Sequence, residues 1–102
     1  MLWYHYVICL FAGMSLANVI PHYVKGVTGE SFPTPFANPP GRGLSSPMTN
    51  AIWSLVNLFI GFVLFKFGKV SFNNELSLIP FFVGFVIITM VSVLNFSNKQ
   101  KE

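Results

Sequence analysis

Small and polar residues recur at regular intervals within an apolar stretch of the chain. Asn50, Ser54, Asn57 and Gly61 are separated by four, three and four positions. On a helix this spacing places all four on one face. In a membrane helix, Asn and Ser hydrogen-bond to neighbouring helices and Gly permits close approach, so we interpret the stripe as a packing face. The alternative is a polar lining for a substrate or ion path.

A second polar group approaches this stripe from the N-terminal apolar stretch. Asn18 and His22 are four positions apart, share a helix face and should lie at the depth of Asn50. We expect these side chains to satisfy one another or nearby carbonyl groups. The functional alternative makes His22 a general base or a ligand-binding group, although the pattern offers it no partner carboxylate. The predicted helix-interface cluster comprises Asn18, His22, Asn50, Ser54 and Asn57.

The run "PPGRGLSSP" has the chemistry of an anion site. Its glycines let the backbone approach a ligand closely, and Arg42, Ser45 and Ser46 stand just before a helix start. We predict that these three residues and the first N–H groups of the helix hold an anion, such as a lipid headgroup. The glycine spacing does not match a nucleotide-binding loop. Arg42 has two simpler interpretations: it reaches water as a topology signal, or it pairs with Glu30.

We expect no metal or cofactor site. His5 and His22 would lie about 25 Å apart on one helix, so they cannot bind the same metal ion. Haem shared between two chains remains an open alternative. Cys9 is the single cysteine, which excludes an intrachain disulfide and a Cys/His zinc cluster. No pair of nucleophile and base is visible, so an enzyme ranks behind the two functions considered below.

The composition indicates an integral membrane protein. Of the 102 residues, 53% are hydrophobic and 9% are charged, whereas soluble domains carry about 25% charged residues. Charges are absent before Lys25, between Arg42 and Lys66, and between Glu75 and Lys99. Each gap is close to the roughly 20 residues that a helix needs to cross a bilayer. The net charge of +3 comes from scattered basic residues, which fit the flanks of membrane spans better than nucleic-acid binding.

These runs predict an all-α membrane protein with three transmembrane helices in a single integral membrane domain, residues 1–102. Pro21 should end or kink the first helix, because proline disfavours helical geometry at the preceding residue. A polar tail, residues 97–102, follows the third helix. The predicted helices cover about residues 2–20, 47–66 and 76–96.

Residues 21–46 form a long connection rich in proline and glycine between the first two helices. Its prolines exclude a regular helix and most sheet pairing. Phe32, Phe36 and Leu44 supply apolar anchors that disordered segments usually lack, so we predict an ordered loop packed onto the helices. The closing Ser46 and the proline after it predict a helix start, because serine caps free N–H groups and proline suits the first position.

The basic residues favour one orientation in the membrane. Lys25, Arg42, Lys99 and Lys101 lie on the side of the long loop and the C-terminus, and two lysines lie on the other side. Short loops rich in Lys and Arg stay in the cytoplasm. We therefore expect a cytoplasmic loop and C-terminus and an external N-terminus.

The order of these residues resembles a family of small bacterial inner-membrane proteins. The resemblance covers about residues 15–62 and implies a multi-pass protein of the plasma (inner) membrane, without bringing an activity. It rests on Asn18, Pro21-His22, Gly26, the run "PFANPPGRGLSSP", Asn50, Trp53, Asn57 and Gly61.

Two functions from different classes fit these features. The first is a small structural or accessory protein of the lipid bilayer, acting by helix–helix association with itself or with a larger membrane complex. Gly13-x-x-x-Ala17 and Asn57-x-x-x-Gly61 favour it, because small residues four positions apart allow helices to pack closely. The alternative is a small oligomeric transporter or channel lined by the polar face of the second helix. Three short helices enclose little space, so such a path would need several chains.

Overall fold

The computed structural model describes residues 2–97, in which three helices follow one another along the chain. No strand occurs within these residues, which contain two isolated β-bridges. All three helices are long and apolar enough to cross a membrane, and the longest molecular dimension of 45 Å matches a bilayer of about 40–45 Å with its headgroups. The predicted all-α class is confirmed, as is the prediction of three helices that are long and apolar enough to cross a membrane. The helices are α1 (Trp3–Val27), α2 (Pro47–Phe67) and α3 (Glu75–Phe96).

The predicted tail lies almost wholly outside the described residues. Of residues 97–102, Ser97 alone falls within them, directly after α3. Lys99 and Lys101, which entered the orientation argument, belong to the part that the structure does not describe.

The predicted end of the first helix at residue 20 is wrong, because α1 continues through Pro21 to Val27. Proline removes one backbone hydrogen bond and costs about 3 kcal/mol in a helix interior. Contacts beyond the proline offset this cost. A Cβ atom on Gly26 would lie only 2.7 Å from the backbone nitrogen of Ala51, so the last turn of α1 packs directly on α2. The loop therefore begins at residue 28 and not at residue 21.

Both other helices pack against α1. Its contact with α3 is made by two glycines. A Cβ atom on Gly13 would collide with the carbonyl oxygen of Phe81, and one on Gly84 would collide with the carbonyl oxygen of Leu10. Each helix thus presents a surface without a side chain, and the two backbones touch. The small-residue pair formed by Gly13 and the buried Ala17 is used inside the chain.

The contact between α1 and α2 extends over most of both helices. Leu16 of α1 covers Gly61, where an added Cβ atom would lie 2.7 Å from the leucine Cγ. At the N-terminal end of α1, the Cys9 thiol donates to the carbonyl oxygen of Gly68 across 3.0 Å. Cys9 is fully buried there. The predicted packing of Gly61 against a neighbouring helix is therefore confirmed, and the neighbour is α1 of the same chain.

A short turn, residues 68–74, connects α2 to α3. Ser77 fixes it from within α3, because its hydroxyl accepts from the backbone nitrogen of Ser71 at 3.0 Å and lies 2.6 Å from the carbonyl oxygen of Asn74, to which it donates. Phe65 and Phe81 stack edge to face nearby, with ring centroids 5.5 Å apart. These contacts hold the second and third helices on either side of the turn.

The loop of residues 28–46 is closed at a neck formed by Phe32 and Ser45. The backbone nitrogen of each donates to the carbonyl oxygen of the other, at 3.1 Å and 3.0 Å. Beyond the neck, the carbonyl oxygen of Thr34 accepts from the nitrogens of Ala37 and Gly41. Gly41 has a φ angle of 74°, which glycine adopts without the steric cost that a Cβ atom brings.

The start of α2 is as predicted. Pro47 occupies the first turn and Ser46 is the N-cap residue. The Ser46 hydroxyl accepts from the backbone nitrogen of Thr49 at 3.1 Å. One of the helix's unpaired N–H groups is thereby satisfied, and the entry point of α2 is fixed relative to the neck.

Candidate functional site

The polar stripe of α2 faces protein. Asn50, Ser54, Asn57 and Gly61 are the buried residues of this helix, and the large apolar side chains around them are exposed. The stripe packs against α1, because Asn50 and Asn57 bond to residues of that helix. The face predicted from spacing is confirmed. An unpaired amide in hydrocarbon would be costly, which explains its inward direction.

Asn50 bonds to the neck of the loop. Its side-chain Nδ2 lies 2.9 Å from the carbonyl oxygen of Phe32, 3.3 Å from that of Ser45 and 3.1 Å from that of Ser46. An amide nitrogen can donate to these oxygens, whereas an amide oxygen could not. The orientation of the Asn50 amide is therefore fixed, with Oδ1 directed away from the neck.

The other end of the same amide meets His22. Asn50 Oδ1 lies 2.7 Å from His22 Nδ1, and the two side chains are almost completely buried. Because Oδ1 can only accept, the proton of the imidazole is on Nδ1. In the neutral ring, Nε2 then carries a lone pair and is an acceptor. The pair resembles the arrangement that orients a histidine base, but a nucleophile is not among its hydrogen-bond partners.

Two phenylalanines enclose His22. Its ring centroid lies 5.6 Å from that of Phe32 and 6.0 Å from that of Phe96, both edge to face. Phe32 and Phe96 also contact each other at 4.5 Å. The loop, the end of α1 and the end of α3 thus meet at one buried imidazole, against which two aromatic rings pack.

The remaining polar residues form a second, smaller group deeper in the bundle. Asn18 Nδ2 donates to Asn57 Oδ1 at 3.3 Å, and Asn57 Nδ2 donates to the carbonyl oxygen of Trp53 at 2.9 Å. Ser54 donates to the carbonyl oxygen of Ala51 at 2.6 Å. The predicted cluster therefore consists of two bonded pairs, His22 with Asn50 and Asn18 with Asn57, and Ser54 is satisfied within its own helix.

A cavity of about 150 Å³ lies between the three helices beneath the loop. The lining residues with polar side-chain atoms are Asn18 and His22 of α1, Thr34 of the loop, Trp53 of α2, and Ser92 and Asn95 of α3. The rest is mainly apolar and includes Pro33, Pro35, Ile88, Val91 and Phe96. Spacing along the chain does not single out Ser92 or Asn95, because they become neighbours of His22 only through the fold.

Trp53 carries an unusual buried group. Its indole Nε1 is buried and has no hydrogen-bond partner among residues 2–97. Nearly all buried polar groups in proteins are hydrogen-bonded, and each exception needs an explanation. On its other side, the Trp53 ring contacts Phe36 edge to face, with centroids 5.0 Å apart.

The three apolar anchors of the loop are buried to different extents. Phe32 is buried and Leu44 is half-buried. Phe36 contacts Trp53, yet 68% of it is exposed. The predicted packing is thus complete for Phe32 and partial for the other two. Phe36 leaves a large apolar surface on the outside of the loop.

The residues of the predicted anion site are not gathered around a common point by their hydrogen bonds. Arg42 is exposed in a turn closed by its backbone nitrogen and the carbonyl oxygen of Pro39. The Ser45 hydroxyl lies 2.6 Å from that of Thr34, and the Ser46 hydroxyl caps α2. Both hydroxyls are thus engaged within the chain, and the anion site stays a prediction.

Glu30, the alternative partner of Arg42, bonds elsewhere. Its carboxylate lies 2.5 Å from the ammonium group of Lys25 at the end of α1.

Two features of the structure are candidate functional sites: the hydrogen-bonded unit of His22, Asn50 and the neck, and the cavity beside it. Protein-family models, curated proteins and solved structures give no match to this chain.

Proposed function

We propose that this chain is a small structural or accessory integral membrane protein that associates with itself or with a larger membrane complex. Its helices pack side by side with others in the bilayer, and residues 28–46 act as an ordered loop that supplies the contact at the membrane surface. The observation that carries this proposal is the attachment of the loop neck to α1 and α2 through Asn50 and His22.

The attachment is made by the buried polar side chains of His22 and Asn50. Its buried hydrogen bonds hold the loop in place, while Phe36 and Arg42 stay exposed on it. Exposed aromatic and arginine side chains on a rigid support are the residues that most often anchor protein contacts. A loop held in this way loses little entropy on binding, which favours association.

The alternative, an oligomeric transporter or channel lined by the polar face of α2, finds less support. Asn50 and Asn57 of that face are buried against α1 within a single chain. To line a path, α2 would have to separate from α1 and break these bonds. The burial of the stripe therefore favours the accessory role.

The membrane and the orientation belong to the same proposal. The resemblance to small bacterial inner-membrane proteins supports the plasma membrane. In the sequence, Lys25, Arg42, Lys99 and Lys101 on the side of the loop and the C-terminus outnumber Lys66 and Lys69 on the opposite side, which supports a cytoplasmic loop under the positive-inside rule. The loop would then meet its partner at the cytoplasmic surface.

Site-directed cross-linking tests the proposal. In a Cys9→Ala background, Phe36→Cys would carry a photoactivatable maleimide in native membranes. We expect one defined adduct, either a dimer of this chain or a complex with one larger protein. Phe72→Cys is the matched control, because Phe72 is 89% exposed in the turn at the opposite end. The proposal fails if Phe36→Cys gives no adduct or gives the same pattern as Phe72→Cys.

A further inference from the structure

The cavity beneath the loop has the properties of a site for a neutral molecule. Among residues 2–97, no Asp, Glu, Lys or Arg belongs to its lining. An ionic group such as phosphate would be buried there without a counter-charge among these residues, which is strongly unfavourable. Most of the lining is apolar, which suits a molecule that partitions into membranes.

Two polar groups of the lining complement each other. Asn50 Oδ1 fixes the proton of His22 on Nδ1, so Nε2 is the ring nitrogen left to accept a hydrogen bond. Trp53 Nε1 is a donor without a partner among residues 2–97. Both side chains line the cavity. A hydroxyl group is the simplest group that can donate to one and accept from the other.

From this pairing we propose that the cavity binds the hydroxyl group of a neutral, apolar molecule. The hydroxyl donates to His22 Nε2 and accepts from Trp53 Nε1, while prolines and Phe96 contact the apolar body. Two kinds of membrane molecule carry this chemistry: ring compounds with a phenolic hydroxyl, such as a quinol, and lipids with a free hydroxyl, such as a diacylglycerol.

The volume limits what enters. The cavity measures about 150 Å³, and an engineered protein cavity of about 150 Å³ binds benzene. One six-membered ring or one short branched segment therefore fits, and the rest of a longer molecule would extend into the bilayer. Water can satisfy the same two groups, so the test must separate a bound ring from solvent.

Fluorine NMR with 4-fluorophenol provides this separation in the full-length protein in detergent micelles. We expect saturable binding of 4-fluorophenol and binding about tenfold or more weaker for fluorobenzene, which has the ring without the hydroxyl. A signal that changes linearly with concentration, as in simple partitioning into micelles, would overturn the proposal. Equal binding of the two probes would overturn it as well.

Three variants locate the probe. Ser92→Leu fills the cavity from α3 and should abolish saturable binding. Thr89→Leu is the matched control, because Thr89 is exposed on the same helix and does not line the cavity, so it should bind as the parent does. Trp53→Phe keeps an aromatic ring but removes the N–H group, and should weaken binding by about fivefold, as expected for one hydrogen bond.

Unchanged binding in both Ser92→Leu and Trp53→Phe would place the probe elsewhere and refute the site. Circular dichroism and thermal unfolding of each variant show whether it is folded. If Ser92→Leu does not fold, Trp53→Phe and the fluorobenzene comparison decide.

Competition experiments distinguish the two kinds of ligand, a phenolic ring compound and a lipid with a free hydroxyl group. A short-chain hydroquinone and a short-chain diacylglycerol are each added to the complex with 4-fluorophenol. Displacement by the hydroquinone identifies a phenolic ligand, and displacement by the diacylglycerol identifies a lipid hydroxyl. Displacement by neither overturns the assignment to a membrane molecule.

Discussion

Asn50 Oδ1 lies 2.7 Å from His22 Nδ1, while Nδ2 of the same amide lies 2.9 Å from the carbonyl oxygen of Phe32. One side chain thus joins the end of α1 to the neck of the loop. Because Asn50 itself belongs to α2, a single amide connects the neck of the loop to two helices.

We predict that Asn50→Ala lowers the free energy of unfolding by about 2–4 kcal/mol, because it leaves the buried His22 Nδ1 without its partner and removes the side-chain donor shared by the carbonyl oxygens of the neck. Thermal or SDS-induced unfolding in micelles measures the change. Asn95→Ala is the control, because Asn95 is exposed and makes one bond at 3.2 Å to Gly41. Equal losses in the two variants would show that the amide does not hold the neck.

Gly84→Ala should separate α1 from α3. Its new methyl group would occupy the position of the Leu10 carbonyl oxygen, so we expect a loss of about 3 kcal/mol or more in the free energy of unfolding. The neighbouring Val83→Ala, on the exposed side of α3, should change it by less than about 1 kcal/mol. A Gly84→Ala protein as stable as the parent would contradict the close backbone contact.

Ser46→Ala should loosen the first turn of α2, at a cost of about 1 kcal/mol. The amide hydrogen of Thr49, which bonds to the Ser46 hydroxyl, should exchange faster with solvent. Ser46→Asp preserves an acceptor at the cap and should exchange at the parent rate. If Thr49 exchanges alike in all three proteins, the cap is not important for this helix end.

Thiol labelling tests the orientation of the chain in the membrane directly. In a Cys9→Ala background, Asn38→Cys and Phe72→Cys place one thiol in the loop and one in the opposite turn, both at exposed positions. With a cytoplasmic loop, a membrane-impermeant maleimide should label Phe72→Cys in intact cells and Asn38→Cys only after permeabilisation. The reverse pattern would invert the orientation, and labelling of both in intact cells would contradict a single topology.

The spacing of polar residues along the chain predicts which of them share one face of a helix. The spacing of Asn50 and Asn57 predicts a packing face, and both residues are buried. The same reasoning could not say which helix covers them. Gly13 illustrates the limit, because its close contact with Phe81 depends on a crossing with α3 that no local pattern encodes.

Local rules failed where tertiary contacts outweighed them. Pro21 predicts a helix end, yet α1 continues to Val27 because Gly26 and His22 pack and bond against α2. No sequence pattern predicts the neck of the loop either. Phe32 and Ser45 pair without an alternating pattern that would indicate a strand, and Asn50 Nδ2 holds them together by donating to both carbonyl oxygens.

The central position of α1 also affects the order in which the helices can assemble during synthesis. The helix that both others pack against is the first to leave the ribosome. It must wait in the bilayer with Gly13 and its neighbours uncovered until the later helices arrive. α2 can dock as soon as it is inserted, but the imidazole of His22 is enclosed only after Phe96, the last residue of α3, has been added. Assembly therefore proceeds in the order of translation, and the last residues of α3 complete it.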